Sequence, residues 1–185
     1  MRLVFLDRDG VINEYPGDGD YVKSWEEFRF LPAAKPALKK LADSNTAIFV
    51  ISNQAGVSKG IYSQEALDLI TSNMLRELGD YGIKIKGVFY CIHRSEENCS
   101  CRKPKTGLIE KAIVQLKKEG KEVRLRESFF VGDTVRDIET GKAGGLRTIM
   151  VFSGKEKPEN KIKWETPPDF TAADLLGAAD IILAG

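Results

Sequence analysis

The residues of this chain best suited to chemistry are its three cysteines and its one histidine, which lie close together in the sequence. They are Cys91, His93, Cys99 and Cys101. Three thiolates and an imidazole form a closed ligand set for tetrahedral Zn²⁺, and four protein ligands leave no position open for a substrate. The spacing therefore predicts a structural zinc site in a small loop. The alternative is a group of buried thiols beside a surface histidine.

An acidic pair follows the first apolar run of the chain. Leu3–Leu6 are apolar, and Asp7, Asp9 and Gly10 come directly after them. Ligands of open α/β sheets bind at the carboxyl ends of strands, and side chains two positions apart on extended chain point to the same side. The two carboxylates are therefore expected to reach one phosphorus atom, where one attacks and the other transfers protons.

Three further segments supply the remaining groups that phosphoryl transfer requires. These groups are a hydroxyl, two amides, two cations and two carboxylates: Ser52, Asn53, Gln54, Arg102, Lys103, Asp133 and Asp137. Phosphoryl transfer is catalysed mostly by positioning and charge neutralisation. We expect Asp7 and Asp133 to bind Mg²⁺, Ser52 to donate a hydrogen bond to the phosphoryl group, and Lys103 to supply fixed positive charge.

Short apolar runs alternate with amphipathic stretches, which predicts a parallel sheet with helical crossovers. The expected strands are Leu3–Leu6, Thr46–Ile51, Gly87–Cys91, Ser128–Val131, Thr148–Phe152 and Ile181–Leu183. Sheet and helix take up the intervals between the chemical groups, so no room is left for a lid domain. Residues 1–185 are therefore expected to form a single domain.

Helices are expected between these strands. One begins near Pro32 and Pro36, two are capped by Ser63 and Thr106, and a fourth covers Val135–Ala143. Ser and Thr are preferred at helix N-termini because their side chains accept hydrogen bonds from free backbone N–H groups. Residues 153–168, rich in Lys, Glu and Pro, are expected to form a surface loop before a last short helix and strand.

The composition is that of a soluble globular protein, with 42% hydrophobic and 30% charged residues. The net charge of +1 argues against a nucleic-acid binder with a broad basic surface. No apolar run approaches the roughly 18–20 residues that span a membrane. An odd number of cysteines does not suit a disulfide framework. We therefore expect a cytoplasmic, monomeric protein whose partner is a small phosphorylated metabolite.

Taken together, these motifs resemble those of the haloacid dehalogenase superfamily, which match Asp7-x-Asp9, Ser52, Lys103 and Asp133 with Asp137. Within it, the chain is similar to the D-glycero-D-manno-heptose-1,7-bisphosphate 7-phosphatases over residues 7–13, 20–22, 52–56, 101–104, 131–133 and 153–155. The resemblance implies a Rossmann-like three-layer α/β sandwich with a mostly parallel central sheet, no large cap domain and a small zinc-bound loop.

The resemblance also implies an Mg²⁺-dependent phosphomonoesterase that forms an aspartyl phosphate. Asp7 is then the nucleophile and Asp9 the general acid that later activates water. Mg²⁺ is bound by Asp7, the Asp9 main-chain carbonyl and Asp133. Asp137 orients Lys103 or a metal-bound water. The substrate-contacting residues implied are Asn53, Gln54 and Arg102, while Ser52 and Lys103 stabilise the phosphoryl group.

The substrate stays open between related classes. The leading expectation is a heptose 1,7-bisphosphate that loses its 7-phosphate, because residues 53–60 and the tail after Phe152 resemble the heptose enzymes. The alternative is histidinol phosphate or another small sugar phosphate, because only five residues separate His93 from Cys99. Arg102, with or without Lys59, is expected to contact a second phosphate.

A phospho-accepting receiver domain also uses carboxylates, a hydroxyl and a lysine on a parallel sheet. Its acceptor aspartate is expected on a central strand that comes after a preceding acidic pair. Here the pair itself follows the first strand, and a zinc site has no place in a receiver. The sequence therefore disfavours a receiver domain.

Overall fold

Six strands form one parallel sheet at the centre of the molecule. The computed structural model describes residues 1–44 and 46–185, apart from the side chain of residue 162. The strands are β1 Leu3–Leu6, β2 Ala47–Asn53, β3 Gly87–Cys91, β4 Phe129–Gly132, β5 Arg147–Val151 and β6 Phe170–Ala172. They lie in the order β3-β2-β1-β4-β5-β6, and each neighbouring pair is parallel. The predicted Rossmann-like α/β class is confirmed.

Helices cover both faces of this sheet. In the described part of the chain they are α1 Ala34–Asp43, α2 Gln64–Asp80, α3 Gly107–Lys118, α4 Val135–Ala143 and α5 Leu175–Ala184. The first, second and fifth contribute Leu38, Met74 and Ile182 to one core layer. The third contributes Leu116 to the other layer. Strands buried on both faces have continuous apolar sequences. For this reason most of the strands could be predicted from the apolar runs.

The strand order reverses between β1 and β4. The chain runs outward from β1 through β2 to β3, then returns to β4 and continues outward on the other side. Loops that leave β1 and β4 therefore diverge, and ligands bind in the crevice that such a switch point creates. Asp7 follows β1 and Asp133 follows β4. Both predicted acidic segments consequently open into the same crevice.

Among the described residues, the loops at this edge contain no α-helix, only 3-10 segments such as Trp25–Glu27, Ser95–Glu97 and Pro158–Lys163, in agreement with the prediction of no large cap domain. The loop after β1 folds back on itself through isolated bridges that join Asn13 to Asp9 and to Phe30. None of the described helices is long and apolar enough to cross a membrane.

The C-terminal segment differs from the prediction. Ile181–Leu183 is not a strand but part of α5. Asp174 caps this helix by accepting hydrogen bonds from the backbone N–H groups of Leu176 and Gly177. The last strand is Phe170–Ala172, which precedes the helix and has only three residues. A short apolar run does not by periodicity alone distinguish a buried strand from a buried helix.

The predicted helix caps have different outcomes. The Ser63 side chain accepts a hydrogen bond of 3.2 Å from the backbone N–H of Ala66, as expected for a cap. Thr106 occupies the N-cap position of α3 but makes no capping bond. Its hydroxyl donates instead to Glu110 Oε1 at 2.6 Å. The predicted span of α4, Val135–Ala143, is correct.

Candidate active site

Three buried carboxylates meet in the crevice between β1 and β4. One oxygen from each of Asp7, Asp133 and Asp137 lies within 4.8 Å of the others. Gly10 makes this approach possible, since its φ is +81° and a Cβ there would lie 2.2 Å from Asp133 Oδ2. The same Asp133 oxygen accepts a hydrogen bond of 2.8 Å from the backbone N–H of Lys155. The start of the predicted surface loop is therefore part of the site.

Burial shifts the ionisation of this cluster. Burial raises the pKa of Asp7 to about 6, against a lowering effect of Lys103, and the charge of Asp137 adds to the rise. Burial also raises the pKa of Asp133 well above its ordinary value, and the charges of Asp137 and Asp7 raise it further. Oxygen ligands alone are what Mg²⁺ prefers, and a bound cation favours the ionised carboxylates. The residues present fit this ion.

A buried lysine lies beside the carboxylates. Lys103 Nζ is 2.8 Å from Asp7 Oδ2 and 2.5 Å from Asp137 Oδ1. Burial lowers the pKa of Lys103, but the charges of Asp137 and Asp7 outweigh it and hold the pKa above its ordinary value. The other Asp137 oxygen accepts hydrogen bonds from the backbone N–H and the hydroxyl of Thr134. Asp137 therefore has the geometry needed to orient a charged Lys103.

The end of β2 supplies a hydroxyl and an amide. Ser52 and Asn53 both line the cleft above the carboxylates. Asn53 Nδ2 donates to the main-chain oxygen of Lys103 at 3.2 Å, and its Oδ1 accepts from the Lys103 backbone N–H at 3.1 Å. This pair of bonds fixes the backbone of Lys103 to the sheet.

Gln54 is turned away from the cleft. Its side chain is fully buried. The Nε2 atom donates to Asp9 Oδ2 at 2.8 Å and to Ser52 Oγ at 3.2 Å, while Oε1 accepts from the Tyr62 hydroxyl at 2.6 Å. Both ends of its amide are engaged inside the protein, so the structure does not bring Gln54 to the cleft lining, where its contact with substrate was predicted. Its contact is with Asp9, which does line the cleft.

The cleft has a volume of about 230 Å³ and a basic edge. Its lining includes Arg102, Arg136 and Lys155. Lys155 Nζ forms an ion pair with Asp18, whereas Arg136 has no ion-pair partner among the described residues. Arg136, in the first turn of α4, was not among the predicted site residues. Arg102 and Arg136 also line an adjoining groove of about 270 Å³.

Lys59 lies outside this lining. Its Nζ is 3.1 Å from the hydroxyl of Tyr21 and 5.5 Å from the centre of the same ring. Tyr21 itself borders the cleft. Arg102 and Lys59 were the two cations expected at a second phosphate. The structure places Arg102 in the lining of the cleft, whereas Tyr21 lies between Lys59 and the cleft.

The cysteine loop, residues 91–101, brings its four candidate ligands together. The Cys91 Sγ atom lies 3.6 Å from that of Cys99 and 3.2 Å from that of Cys101, and the last two are 3.5 Å apart. His93 Nδ1 lies 3.6 Å from Cys91 Sγ and 3.2 Å from Cys101 Sγ. With Zn–S bonds of about 2.3 Å, tetrahedral ligands are separated by roughly 3.7 Å. The cluster could hold a metal ion of this kind.

Comparison with known proteins identifies the family of this chain. A model of HAD-hydrolase-like proteins matches residues 100–178. A D-glycero-beta-D-manno-heptose-1,7-bisphosphate 7-phosphatase of Haemophilus ducreyi is 33% identical over 162 residues, which cover 83% of this chain and 85% of that protein. A D-glycero-D-manno-heptose-1,7-bisphosphate 7-phosphatase of Chlorobaculum tepidum is 32% identical, covering 100% of this chain and 95% of that protein.

A solved structure agrees with these relatives. The D,D-heptose 1,7-bisphosphate phosphatase from B. bronchiseptica, crystallised with magnesium and phosphate, has a TM-score of 0.86 and 27% identity, covering 100% of this chain and 99% of that one. The matched length covers the segments of this chain that carry the acidic cluster and the cysteine loop. It confirms the predicted resemblance and argues against a receiver domain. The chain belongs to the haloacid dehalogenase-like hydrolases, in the branch of phosphatases whose curated members are named heptose-1,7-bisphosphate 7-phosphatases.

Proposed function

We propose that this chain is an Mg²⁺-dependent phosphatase that removes the 7-phosphate from a D-glycero-D-manno-heptose 1,7-bisphosphate. The observation that carries the proposal is the buried cluster of Asp7, Asp133 and Asp137 around the charged Lys103, at the switch point of the sheet. The relatives' names supply the substrate class. The basic edge of the cleft supports a substrate with two phosphates.

Asp7, Asp133 and the main-chain carbonyl of Asp9 are the groups that would hold Mg²⁺. The bound ion supplies positive charge that neutralises phosphoryl oxygens in the transition state. Lys103 adds a fixed charge at the same place, because it lies 2.8 Å from Asp7 Oδ2 and is held there by Asp137. Ser52, at the end of β2, donates a hydrogen bond to the phosphoryl group.

The reaction has two steps. In the first, a carboxylate oxygen of Asp7 attacks phosphorus, the bond from phosphorus to the ester oxygen breaks, and Asp9 gives its proton to the departing oxygen. In the second, water attacks the phosphorus of the aspartyl phosphate and Asp9 takes the proton from that water. Inorganic phosphate leaves and the Asp7 carboxylate is restored.

Arg102 and Arg136 are the residues we assign to the second phosphate. Both border the cleft and the adjoining groove. Arg102 uses one nitrogen to bind the main-chain oxygen of His93, and its other N–H groups have no partner among the described residues. Guanidinium groups bind phosphate oxygens through paired hydrogen bonds.

The cysteine loop is proposed to hold one Zn²⁺ through Cys91, His93, Cys99 and Cys101. Four protein ligands make the site structural rather than catalytic. Arg102 follows the last ligand directly, so the metal would fix the position of the cation that meets the second phosphate.

Histidinol phosphate is a second candidate, favoured by the short interval between His93 and Cys99. It carries an amine where the bisphosphate carries a second phosphate. The amine would lie near the like charges of Arg102 and Arg136, which is unfavourable. The charge of the cleft edge therefore favours the sugar bisphosphate.

The test is a comparison of initial rates with Mg²⁺ on four substrates: the α- and β-anomers of the heptose bisphosphate, fructose 1,6-bisphosphate, and histidinol phosphate. We expect one heptose anomer to give the highest kcat/KM and a chelator to abolish turnover. Faster turnover of histidinol phosphate than of every sugar bisphosphate would overturn the substrate assignment. Turnover that persists after complete removal of Mg²⁺ would overturn the metal dependence.

A further inference from the structure

The Asp9 carboxylate is held from several sides by buried groups. Arg8 donates from Nε at 3.1 Å and from Nη2 at 2.9 Å to Asp9 Oδ1, and Nη2 also reaches Oδ2 at 3.1 Å. Asn13 Nδ2 donates to Oδ1 at 2.8 Å and Gln54 Nε2 to Oδ2 at 2.8 Å. The three donor side chains are fully buried. Both oxygens of Asp9 are therefore fixed.

Arg8 lies entirely inside the protein. Its side chain is 0% exposed, and Asp9 is its ion-pair partner. The guanidinium lies 5.7 Å from the centre of the Tyr90 ring. Separating a buried cation from its partner is strongly unfavourable. Asp9 is consequently held beside Arg8, because turning away would break these contacts.

Gln54 is oriented in turn by Tyr62. The Tyr62 hydroxyl donates to Gln54 Oε1 at 2.6 Å, so the amide must present its NH₂ group to Asp9. The ring of Tyr62 comes this close because position 56 is glycine, where a Cβ would lie 2.2 Å from Tyr62 Cε1. Tyr62 is buried and does not border the cleft. Its connection to the site runs through Gln54.

We propose that Arg8, Gln54 and Tyr62 are positioning residues that hold the Asp9 carboxyl group where it exchanges a proton with the ester oxygen of the substrate. The inference rests on the proposed function, in which Asp9 gives a proton to the departing oxygen and later takes one from water. Proton transfer in a transition state depends on the orientation of the acid. Loss of one of these contacts should therefore slow proton donation by Asp9 without abolishing it.

The experiment compares the wild type with Tyr62→Phe, which removes a single hydroxyl. Two substrates are used: the heptose bisphosphate, whose alkoxide needs a proton to leave, and p-nitrophenyl phosphate, whose phenolate leaves without one. The parameter is kcat/KM, because it reports the steps up to the first irreversible one. We expect a fall of about five- to thirty-fold on the sugar ester, part of the ~10²–10⁴ that a general acid contributes. On the nitrophenyl ester we expect less than about a twofold change.

Tyr81→Phe is the matched control, because it removes an exposed hydroxyl at the end of α2 and should change neither value. Arg8→Lys keeps the charge but loses the two-pronged contact, so it should give the same pattern with a larger fall. If Arg8→Lys does not fold, as judged by thermal unfolding, Tyr62→Phe decides alone. Equal falls on both substrates, or no fall on the sugar ester, would overturn the inference. Failure of the proposed function is distinguishable, since the wild type would then not hydrolyse the heptose bisphosphate, whatever its rate on the nitrophenyl ester.

Discussion

Arg102 Nη1 donates a hydrogen bond of 3.1 Å to the main-chain oxygen of His93. His93 is a candidate metal ligand, and its Nδ1 lies 3.2 Å from Sγ of Cys101, the residue that precedes Arg102. The cation at the cleft edge is thus tied to the cysteine loop by a covalent link and by a hydrogen bond. Metal binding in the loop and substrate binding in the cleft should therefore be coupled.

Loss of the loop metal should weaken substrate binding more than chemistry. We expect the purified chain to carry about one Zn per molecule, as a closed four-ligand site implies. Cys99→Ser should lose that zinc and raise KM for the bisphosphate about tenfold, with a smaller change in kcat and little change in Mg²⁺ affinity. Elemental analysis and steady-state kinetics measure these quantities. Zinc-free protein with an unchanged KM would contradict the coupling.

The second-phosphate assignment predicts a change in selectivity. One charge-assisted contact worth ~1.5–3 kcal/mol corresponds to roughly a ten- to hundred-fold preference for bisphosphate over monophosphate. Arg136→Ala should remove much of this preference in kcat/KM while monophosphate hydrolysis continues. Arg126→Ala, which removes an exposed cation just before β4, is the control and should keep the preference. An unchanged ratio in Arg136→Ala would remove this residue from the assignment.

Gly10→Ala should damage the magnesium site. The added Cβ would lie 2.2 Å from Asp133 Oδ2, and the φ of +81° is itself unfavourable for alanine. We expect about 1–2 kcal/mol of stability loss from the backbone conformation alone, together with a large rise in the Mg²⁺ concentration needed for activity.

Gly120→Ala separates these two effects. Gly120 also has a positive φ, +69°, but nothing lies within 4 Å of an added Cβ. It should lose a comparable amount of stability and keep its Mg²⁺ requirement. Urea unfolding and Mg²⁺ titration of activity provide the measurements. Equal Mg²⁺ requirements in both variants would show that the contact with Asp133 is unimportant.

The contact between β5 and the segment before β6 should depend on pH. Asp169 Oδ2 accepts hydrogen bonds of 2.7 Å from both the backbone N–H and the hydroxyl of Thr148. Although burial raises its pKa, these hydrogen bonds outweigh the effect and hold the pKa of Asp169 below its ordinary value of 3.8. A lowered pKa in the folded state means that the stabilisation is present above the unfolded pKa and is lost as the pH falls through the folded one.

Asp169→Asn should therefore destabilise the chain by about 1–2 kcal/mol at pH 7, the value of hydrogen bonds to a charged group. The difference from the wild type should shrink as the pH falls below about 4. Urea unfolding at a series of pH values measures it. A difference that is constant with pH would show that the charge of Asp169 contributes nothing.

The sequence predicted the parts of the site that lie directly at strand ends. Asp7, Ser52 and Asp133 lie together because parallel strands end at one edge of the sheet, and their types are set by the chemistry. The role of Gln54 could not be predicted, because the direction of its amide depends on Tyr62. Arg136 was missed because the side of a helix that faces a cleft depends on how the helix packs.

The last strand and the last helix were not predicted correctly, for a different reason. Phe170–Ala172 is too short to show an alternating pattern, and the apolar run Ile181–Leu183 suits a buried helix as well as a strand. Asp174 favours the helix, because its side chain caps the free backbone N–H groups of the first turn. The cap could have been recognised, because an aspartate before an apolar stretch is a helix-start signal.

The central claim is that Asp7 becomes phosphorylated, and one measurement tests it most directly. With p-nitrophenyl phosphate, whose phenolate leaves without a proton, Asp9→Asn should still form the aspartyl phosphate but hydrolyse it roughly 10²–10⁴ more slowly. Acid quenching during turnover, followed by mass spectrometry of peptides, should therefore find one phosphoryl group on Asp7. The group should be absent without Mg²⁺, and Asp7→Asn should give neither the phosphopeptide nor turnover. Appreciable hydrolysis of the bisphosphate by Asp7→Asn would contradict the covalent mechanism.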